Sequence, residues 1–388
     1  MKKLLALLLV LCMLVGVCAC GATTEPVGET PTNDTPADDQ PTEDPKTEDS
    51  TPADEDPKTE DPKSTAIFSG EDNVIDIYLI AGQSNAVGHT KITDSKAAYE
   101  FAPELKRGFQ YVLFSGMTRW DNVDGSGKYF SHDYRWIKTT LGLGKGDDSN
   151  YMGPEAGMAK AFSEVYNKES GKTAGIIKYG HGGTSMWKTD GSNQFGNWAS
   201  PSYAESALGL GKASYENSSV HGVLYREFLN VIRQKLKALV AEGYTNVNIK
   251  GLYWMQGEND RYEPDRYKTA FACFASDIRR DVAEIVKELT GGDDRGAANM
   301  PIFIGTISQT QNLNYETDEA VNIKFIEMQK ALPKTVANCY VVDNSQYAIS
   351  KYYQDKMPQV LGSDAWHWNQ ADHLEIGYNV GKAMLSLK

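Results

Sequence analysis

The stretch VIDIYLIAGQSNAVGH, residues 74–89, decides the fold of this chain. Its first eight residues form an apolar run with the length and composition of a buried strand. A small serine, Ser84, follows between Gln83 and Asn85, with glycines at 82 and 88. A hydroxyl placed where a buried strand ends is either part of a turn or a nucleophile, and the remaining sequence decides between the two.

Short apolar runs alternate with long amphipathic segments along the chain. The predicted strands are 74–81, 173–180, 247–255, 301–307 and 339–343, and the predicted helices are 154–168, 223–243, 265–292, 322–332 and 371–387. This alternation favours a parallel sheet with helices on both faces. We therefore predict an α/β protein, a three-layer α/β/α sandwich with a mostly parallel five-stranded sheet. Its ligands are expected beyond the carboxyl ends of the strands.

Two long segments, 88–152 and 187–222, do not follow the alternation. Both are rich in aromatic residues, glycine, serine and aspartate, and we interpret them as irregular insertions that border the site. Connections of this length are usually functional or disordered. Their Trp and Tyr side chains suit the flat face of a sugar, but they also suit simple packing of long surface loops.

The N-terminal residues 1–20 predict export. Two lysines precede an apolar run that is too short to span a bilayer but has the proportions of a signal peptide. The ending VCAC resembles the lipobox of bacterial lipoproteins, which would make Cys20 the lipidated N-terminus. Plain secretion that discards Cys20 is the alternative. We expect a lipid-anchored protein on the extracytoplasmic face of a cell membrane.

Residues 21–65 are predicted to be a disordered, extended linker, because they contain almost no large apolar side chain and many prolines. They carry 14 acidic residues against three lysines, which is most of the net charge of −13 of the whole chain. The predicted domain, residues 66–388, is therefore nearly neutral and lacks the basic field that nucleic acid requires. Its two cysteines, Cys273 and Cys339, are expected to be free buried thiols, with a disulfide between them, which export permits, as the alternative. No Cys/His spacing indicates a metal.

A serine nucleophile needs a base, a group that orients the base, and donors for the oxyanion. The stretch GSDAWHWNQADHLEIG, residues 362–377, places Asp364 three residues before His367. In a turn, this spacing lets the carboxylate hold the imidazole of His367. His373 is a second histidine of the same stretch, but it falls inside the closing helix, where we expect it on the surface or behind the site.

Four short blocks follow one another along the chain in this order: GQSNA, GHGGTSMW, WMQGEND and DAWH. Together with GPEAGMAKAF at 153–162, they resemble the blocks of SGNH-type hydrolases. The similarity is to the branch that holds sialate O-acetylesterases and the acetyl xylan esterases of carbohydrate esterase family six. It covers residues 74–388 apart from the two insertions, and it implies a flavodoxin-like fold. Ala86 stands where a lipase-type Gly-x-Ser-x-Gly elbow would have its second glycine, which disfavours an α/β-hydrolase.

The resemblance implies a role for each block. Ser84 would be the nucleophile and would also donate its own N–H to the oxyanion, while Gly182 or Gly183 would add a second backbone donor. The side-chain amide of Gln256 would be the third donor. His367 would be the general base, oriented by Asp364. No metal or organic cofactor is implied.

Further residues of these blocks are expected to contact the substrate or to brace the site. They are Gln83, Asn85, His181 and Glu258. His181 could equally be packed in its loop. Glu258 and Asp260 would suit a paired-carboxylate glycosidase, but the resemblance implies a structural role for Glu258, with Arg261 as a candidate partner.

The sequence thus predicts a serine esterase that removes O-acetyl groups from carbohydrate, either acetylated xylan-type polysaccharide or O-acetylated sialic acid. Acetyl groups on peptidoglycan or lipid are a further alternative. A glycan-binding lipoprotein that has lost catalysis is the alternative from another class. The complete set of Ser84, Gln256, Asp364 and His367 argues against it.

Overall fold

The computed structural model describes residues 73–119, 130–131, 136–145, 149–189, 195–244, 246–311, 317–347, 349 and 366–387. The predicted signal peptide and linker, residues 1–65, lie outside this part of the chain, and so does Asp364. The predictions made for them are therefore carried forward as predictions.

The described strands form one large sheet and one small one. They are β1 (Val74–Gly82), β2 (Thr90–Lys91), β3 (Phe109–Arg119), β4 (Phe130–Ser131), β5 (Ile137–Thr139), β6 (Tyr151–Met152), β7 (Thr173–His181), β8 (Asn246–Met255), β9 (Ile302–Gly305) and β10 (Cys339–Val342). The large sheet has the order β10-β9-β8-β1-β7-β3-β4, with β5 beside β3, while β2 and β6 pair with each other. The five predicted strands are β1, β7, β8, β9 and β10, and all of them pair in parallel.

The large sheet has more strands than predicted, because part of the segment 88–152 belongs to it. Strand β3 pairs with β7 in parallel, and the short strands β4 and β5 pair with β3 in antiparallel orientation. Phe109, Val112, Leu113 and Phe114 of β3 are all buried. The interpretation of this segment as wholly irregular was wrong, since its apolar run is a strand that precedes a glycine- and aspartate-rich stretch.

Helices follow the strands in the predicted alternation. They are α1 (Ser84–Val87), α2 (Ser95–Phe101), α3 (Glu155–Ser163), α4 (Pro201–Leu208), α5 (Lys212–Glu216), α6 (Val223–Ala241), α7 (Pro264–Thr290), α8 (Asp318–Ala331) and α9 (Gln370–Ser386). Helices α4 and α5 lie in the second predicted insertion, 187–222, which is therefore partly regular.

Side chains of β1 alternate between two hydrophobic cores, as a strand with two covered faces requires. Ile77 and Leu79 belong to the core that includes side chains of α6, α7 and α8. Tyr78 and Ile80 belong to the core that includes side chains of α3 and α9. The sheet therefore lies between two helical layers, which confirms the predicted three-layer fold.

Two glycines let α3 and α9 approach each other closely. A methyl group on Gly157 would lie 2.1 Å from the carbonyl oxygen of Leu374, and one on Gly377 would lie 2.2 Å from that of Pro154. Any larger residue at either position would push the helices apart. This contact fixes the N-terminal half of α9, directly after His367, against the same face of the sheet as α3.

The three central strands end level with one another. Gly82, the last residue of β1, pairs with Gly180 of β7 and with Met255 of β8. The segments that begin at Gln83, Gly182 and Gln256 therefore leave the sheet at one edge. The fold thus brings together three of the four sequence blocks that were predicted to carry chemistry.

Neither cysteine of the described residues is in a disulfide: Cys273 is partly exposed and Cys339 is buried, both as free thiols. Within the same part of the chain, no helix is both long enough and apolar enough to cross a membrane. The described residues also contain no group of three or more His, Cys, Asp and Glu side chains that could hold a metal ion.

Candidate active site

The turn that carries Ser84 is tied to the neighbouring strand. The backbone N–H of Gln83 donates to the Met255 carbonyl at 3.0 Å, and α1 then runs for one turn from Ser84 to Val87. Gly82 has a φ of +144°, and a methyl group there would lie 2.0 Å from the Met255 carbonyl oxygen. Only glycine can occupy this position, so the strand leads directly into the serine turn. Ser84 itself is 7% exposed.

Gly182 lies beside Ser84, as predicted from the strand ends. A methyl group on Gly182 would lie 3.6 Å from Cβ of Ser84 and 3.1 Å from the His89 ring. The next residue, Gly183, has a left-handed φ of +67°, and its carbonyl accepts a hydrogen bond from the Asn259 side chain. The glycine pair thus brings bare backbone close to the serine, which an oxyanion site needs.

A buried carboxylate, Asp260, holds the loop that follows these glycines. It accepts hydrogen bonds from the Ser185 hydroxyl, from the Met186 N–H at 2.9 Å and from Nε2 of Gln256 at 2.9 Å. Asp260 is completely buried, and burial raises its pKa to about 6. These bonds join the loop after β7 to the loop after β8.

The Gln256 amide is held in one direction. Its Nε2 also lies 3.1 Å from the Thr184 carbonyl and 3.4 Å from Oε1 of Gln83. Its Oε1 is buried and has no hydrogen-bond partner among the described residues. Gln83 therefore contacts Gln256 directly, and the role of Gln256 as an oxyanion donor stays a prediction.

The residue before His367 is held by two amide side chains. The carbonyl of Trp366 accepts from Nε2 of Gln311 at 2.7 Å and from Nδ2 of Asn85 at 3.3 Å. Asn85 also donates to Oε1 of Glu258 at 2.9 Å. Glu258 is fully buried, and this burial raises its pKa above the ordinary value. Asn85 therefore links the serine turn to the segment of the predicted base, and its expected bracing role stays a prediction.

His367 lies on the same side of the molecule as Ser84. Its ring centroid is 5.0 Å from that of His89, whose ring in turn approaches Gly182 next to Ser84. The carbonyl of Trp368, the residue after His367, accepts from the Thr90 hydroxyl at 2.9 Å. Residues near the start of the folded region and residues near its end therefore converge at one edge of the sheet.

Comparison with known proteins identifies the family. The family described as carbohydrate esterase, sialic acid-specific acetylesterase, matches residues 74–386, which is most of the chain. The chain belongs to this family of carbohydrate esterases. It is accordingly a carboxylic ester hydrolase. None of the curated proteins with which the chain was compared matches it.

Solved structures with a similar fold have low sequence identity to this esterase. A protein from Arabidopsis thaliana is 17% identical, with a TM-score of 0.43, over 80% of this chain and 98% of that one. A carbohydrate acetylesterase from Xanthomonas citri is 15% identical, with a TM-score of 0.41, over 78% and 54%. A catalytic mutant of an acetylxylan esterase from Geobacillus stearothermophilus is 13% identical, with a TM-score of 0.32, over 81% and 94%.

Other predicted residues of the esterase take the following positions. His181 is buried at the end of β7, with Nδ1 2.9 Å from the Gly182 carbonyl and its ring against Phe195. Arg261 donates to the backbone carbonyl of Glu258 at 2.7 Å, so the bond that joins these two residues uses the main chain of Glu258. Asp364 lies outside the described residues. The catalytic assignments of Ser84, His367 and Asp364 stay predictions.

A buried ion pair beneath the serine turn was not foreseen. Nζ of Lys178 lies 2.9 Å from Oε2 of Glu155, and it also donates to the carbonyls of Val87 and Leu143 at 2.9 and 2.6 Å. Both charged side chains are completely buried, and burial lowers the pKa of Lys178. Gly153 donates its N–H to the other oxygen of Glu155 at 2.9 Å. The Gly-Pro-Glu start of α3 therefore supports the C-terminal end of α1.

Thr90 was also missed as a part of the site, and His373 was expected either on the surface or behind the site. His373 is completely buried in the first turns of α9, and its Nδ1 lies 2.6 Å from the Thr90 hydroxyl. A placement of His373 on the surface is therefore wrong, and one behind the site is correct. The spacing of His373, Gly377 and Val380 along the buried face of α9 is a sequence signal that could have shown this.

Proposed function

We propose that this esterase removes O-acetyl groups from a carbohydrate through an acetyl-serine intermediate. The observation that carries the proposal is the convergence of Ser84, Gly182 and the His367 segment at one sheet edge, in a chain of a carbohydrate esterase family. Acetylated xylan-type polysaccharide and O-acetylated sialic acid are the two substrate classes proposed.

The proposed chemistry has two balanced steps. In the first, Oγ of Ser84 attacks the acetyl carbonyl carbon, and His367 takes the hydroxyl proton. The bond to the sugar oxygen then breaks, and His367 returns the proton to that oxygen. In the second, water attacks the acetyl-serine, gives a proton to His367, and acetate leaves as Ser84 regains its proton. Backbone N–H groups at Ser84 and Gly182 would stabilise each oxyanion, each by about 3 kcal/mol.

An exposed aromatic side chain supports a sugar as the leaving group. Trp366 is 40% exposed, whereas Trp368 on the other side of His367 is completely buried. The carbonyl of Trp366 is held by Gln311 and Asn85, so this residue has a fixed backbone next to the proposed base. We propose that the Trp366 ring packs on the flat face of the sugar.

Acetate release and serine labelling test the proposal together. The purified protein should release acetate from acetylated xylan or from O-acetyl sialic acid, and a fluorophosphonate should label Ser84. Ser84→Ala and His367→Ala should each lower turnover by at least about 1,000-fold while the protein stays folded. Glycan binding without acetate release or labelling would contradict the proposal and favour a non-catalytic binding protein. Release from acetylated peptidoglycan alone would change the proposed substrate.

We also propose that the protein is exported and anchored through a lipid on Cys20, with residues 21–65 as a tether. The lipobox-like ending of residues 1–20 and the low complexity of the linker support this. Cells that express the protein should incorporate labelled palmitate into the wild type and not into a Cys20→Ser variant. Equal labelling of both proteins, or of neither, would contradict the anchor.

A further inference from the structure

A hydrogen-bonded contact joins the strand after the serine turn to the residue after the proposed base. Oγ1 of Thr90 lies 2.9 Å from the Trp368 carbonyl and 2.6 Å from Nδ1 of His373. All three residues are at most 1% exposed. The contact joins residues that lie more than 270 positions apart in the sequence, and all of these residues are buried.

The Thr90 hydroxyl donates its single proton to the Trp368 carbonyl. Its oxygen can then accept a hydrogen bond from Nδ1 of His373, which requires the tautomer that carries the proton on Nδ1. Burial, together with the charges of Lys178 and His367, lowers the pKa of His373 to about 3, which keeps its ring neutral. Thr90 thus works as a defined link between two segments.

The position of the link relates it to the two proposed catalytic residues. Thr90 follows His89, whose ring packs near that of His367, and Trp368 directly follows His367. On the other side of His367, the carbonyl of Trp366 is bonded to Asn85, the residue after Ser84. Both neighbours of His367 are therefore bonded to side chains that lie within six residues of Ser84.

We propose that Thr90 and His373 form a positioning pair that sets the place of the His367 ring relative to the Ser84 hydroxyl. Neither side chain is proposed to touch the substrate. The inference rests on the proposed roles of Ser84 and His367. General-base catalysis requires the base within hydrogen-bond distance of the nucleophile, so a small displacement lowers turnover more than it lowers substrate binding.

The test compares two buried threonines that each donate to a backbone carbonyl. Thr139 is completely buried and donates to the Val112 carbonyl at 2.9 Å, in a part of the sheet far from Ser84 in the strand order. Thr90→Val and Thr139→Val each replace a hydroxyl with a methyl group of similar shape. Thr90→Ser keeps the hydroxyl and serves as the conservative variant.

We expect Thr90→Val to lower kcat about 30-fold, which corresponds to a loss of about 2 kcal/mol of transition-state stabilisation. KM should stay within threefold of wild type. The rate of fluorophosphonate labelling of Ser84 should fall in parallel. Thr139→Val should lower the melting temperature about as much as Thr90→Val does, but it should keep kcat within twofold of wild type. Thr90→Ser should keep at least one third of the wild-type kcat.

A second pair of variants covers the case that Thr90→Val does not fold. His373→Asn can still donate an N–H to Thr90, whereas His373→Leu cannot, so the first should retain several-fold more activity. A kcat of Thr90→Val within twofold of wild type would overturn the inference. Equal losses of kcat in Thr90→Val and Thr139→Val would overturn it as well. Equal activity of the two His373 variants would also overturn it. A wild type that is neither active nor labelled would instead refute the proposed function on which the inference rests.

Discussion

The two sides of the candidate site are held by different chemistry. On the side of the proposed oxyanion donors, here called the oxyanion side, the loop with Ser185 and Met186 is bonded to the buried carboxylate of Asp260. On the side of the proposed base, here called the base side, the carbonyls next to His367 are bonded to neutral side chains. Charge-assisted hydrogen bonds are roughly twice as strong as neutral ones. A single residue, Asp260, therefore contributes most to holding the oxyanion side in place, whereas several weaker hydrogen bonds together hold the base side.

Two carboxylates in one turn, Asp260 and Glu258, illustrate this difference. Asp260 uses both of its oxygens: Oδ1 accepts from Ser185, and Oδ2 accepts from Met186 and Gln256. Glu258 accepts through Oε1 only, and its Oε2 has no hydrogen-bond partner among the described residues. The same change from carboxylate to amide should therefore have very different consequences at two positions that lie two residues apart.

The largest effect is expected for Asp260→Asn. The Ser185 hydroxyl already accepts from the N–H groups of Trp187 and Lys188 at 3.2 and 3.0 Å, so its own proton needs the aspartate oxygen. An asparagine must point its NH2 group either at Ser185 or at the other two donors. We expect kcat to fall about 100-fold, comparable to the loss of one oxyanion donor, with KM changed little. Steady-state kinetics on a simple acetate ester measure this.

Asp277→Asn is the matched control for that substitution. Asp277 is also buried, and it accepts from the hydroxyl and the N–H of one serine, Ser202, at 2.6 and 2.8 Å. This contact joins α4 to α7, outside the proposed site. The control should lose stability but keep kcat within about twofold. Similar kcat values for the two variants would show that Asp260 acts only on stability.

The pH dependence of stability should also distinguish Asp260. Its folded-state pKa is raised to about 6 from an ordinary 3.8, so the folded protein binds this proton more tightly than the unfolded chain does. The contribution to stability is therefore fully present below about pH 4, and it is lost as the pH rises through about 6. The loss amounts to at most about 3 kcal/mol.

Denaturation curves of the wild type and of Asp260→Asn between pH 4 and pH 7 would test the sign. The difference in unfolding free energy between the two proteins should shift in favour of the variant as the pH rises. A difference that stays constant with pH, or that shifts the other way, would mean that the carboxylate is already ionised in the folded protein at pH 4.

Trp366→Ala should have an intermediate effect, on the base side. The hydrogen bonds from Asn85 and Gln311 go to the backbone carbonyl of Trp366, so the substitution removes the ring but keeps those two bonds. We expect kcat/KM for an acetylated xylo-oligosaccharide or O-acetyl sialic acid to fall about tenfold, as loss of an aromatic contact of about 1 kcal/mol or slightly more implies. Ethyl acetate, which has no ring to stack, should be hydrolysed at the wild-type rate.

Trp366→Phe should restore much of the activity on the sugar ester, because it restores an aromatic face. Parallel losses on the sugar ester and on ethyl acetate would show that the substitution disturbs His367 instead. In that case the base side would depend on the Trp366 side chain as well as on its carbonyl, and the proposed contact with the sugar would be wrong.

The sequence predicted those parts of the site that depend on where strands end. Ser84, Gly182 and Gln256 follow three parallel strands, and topology alone brings such residues to one edge. The contacts of Asp260 with Ser185 and of Thr90 with His373 were out of reach, since side chains 75 and 283 positions apart meet only through packing. Strand β3 was missed because its apolar run lies within a long segment of loop-like composition.

The smallest effect is expected for Glu258→Gln. Asn85 and Gln311 need only one acceptor oxygen at this position, and the glutamine carbonyl can supply it. The new NH2 group would take the place of Oε2, which has no partner to lose among the described residues. Burial also raises the pKa of Glu258, so the neutral amide resembles the protonated form that burial favours.

We expect kcat for Glu258→Gln to stay within about threefold of wild type, because the Trp366 carbonyl keeps its bond to Gln311 and a shift below 1 kcal/mol is expected. Glu258→Leu, which leaves the Asn85 amide without its acceptor, should be clearly less active than Glu258→Gln. If Glu258→Gln instead lost as much activity as Asp260→Asn, the charge of Glu258 would be needed near His367. The base side would then depend on a carboxylate as strongly as the oxyanion side does.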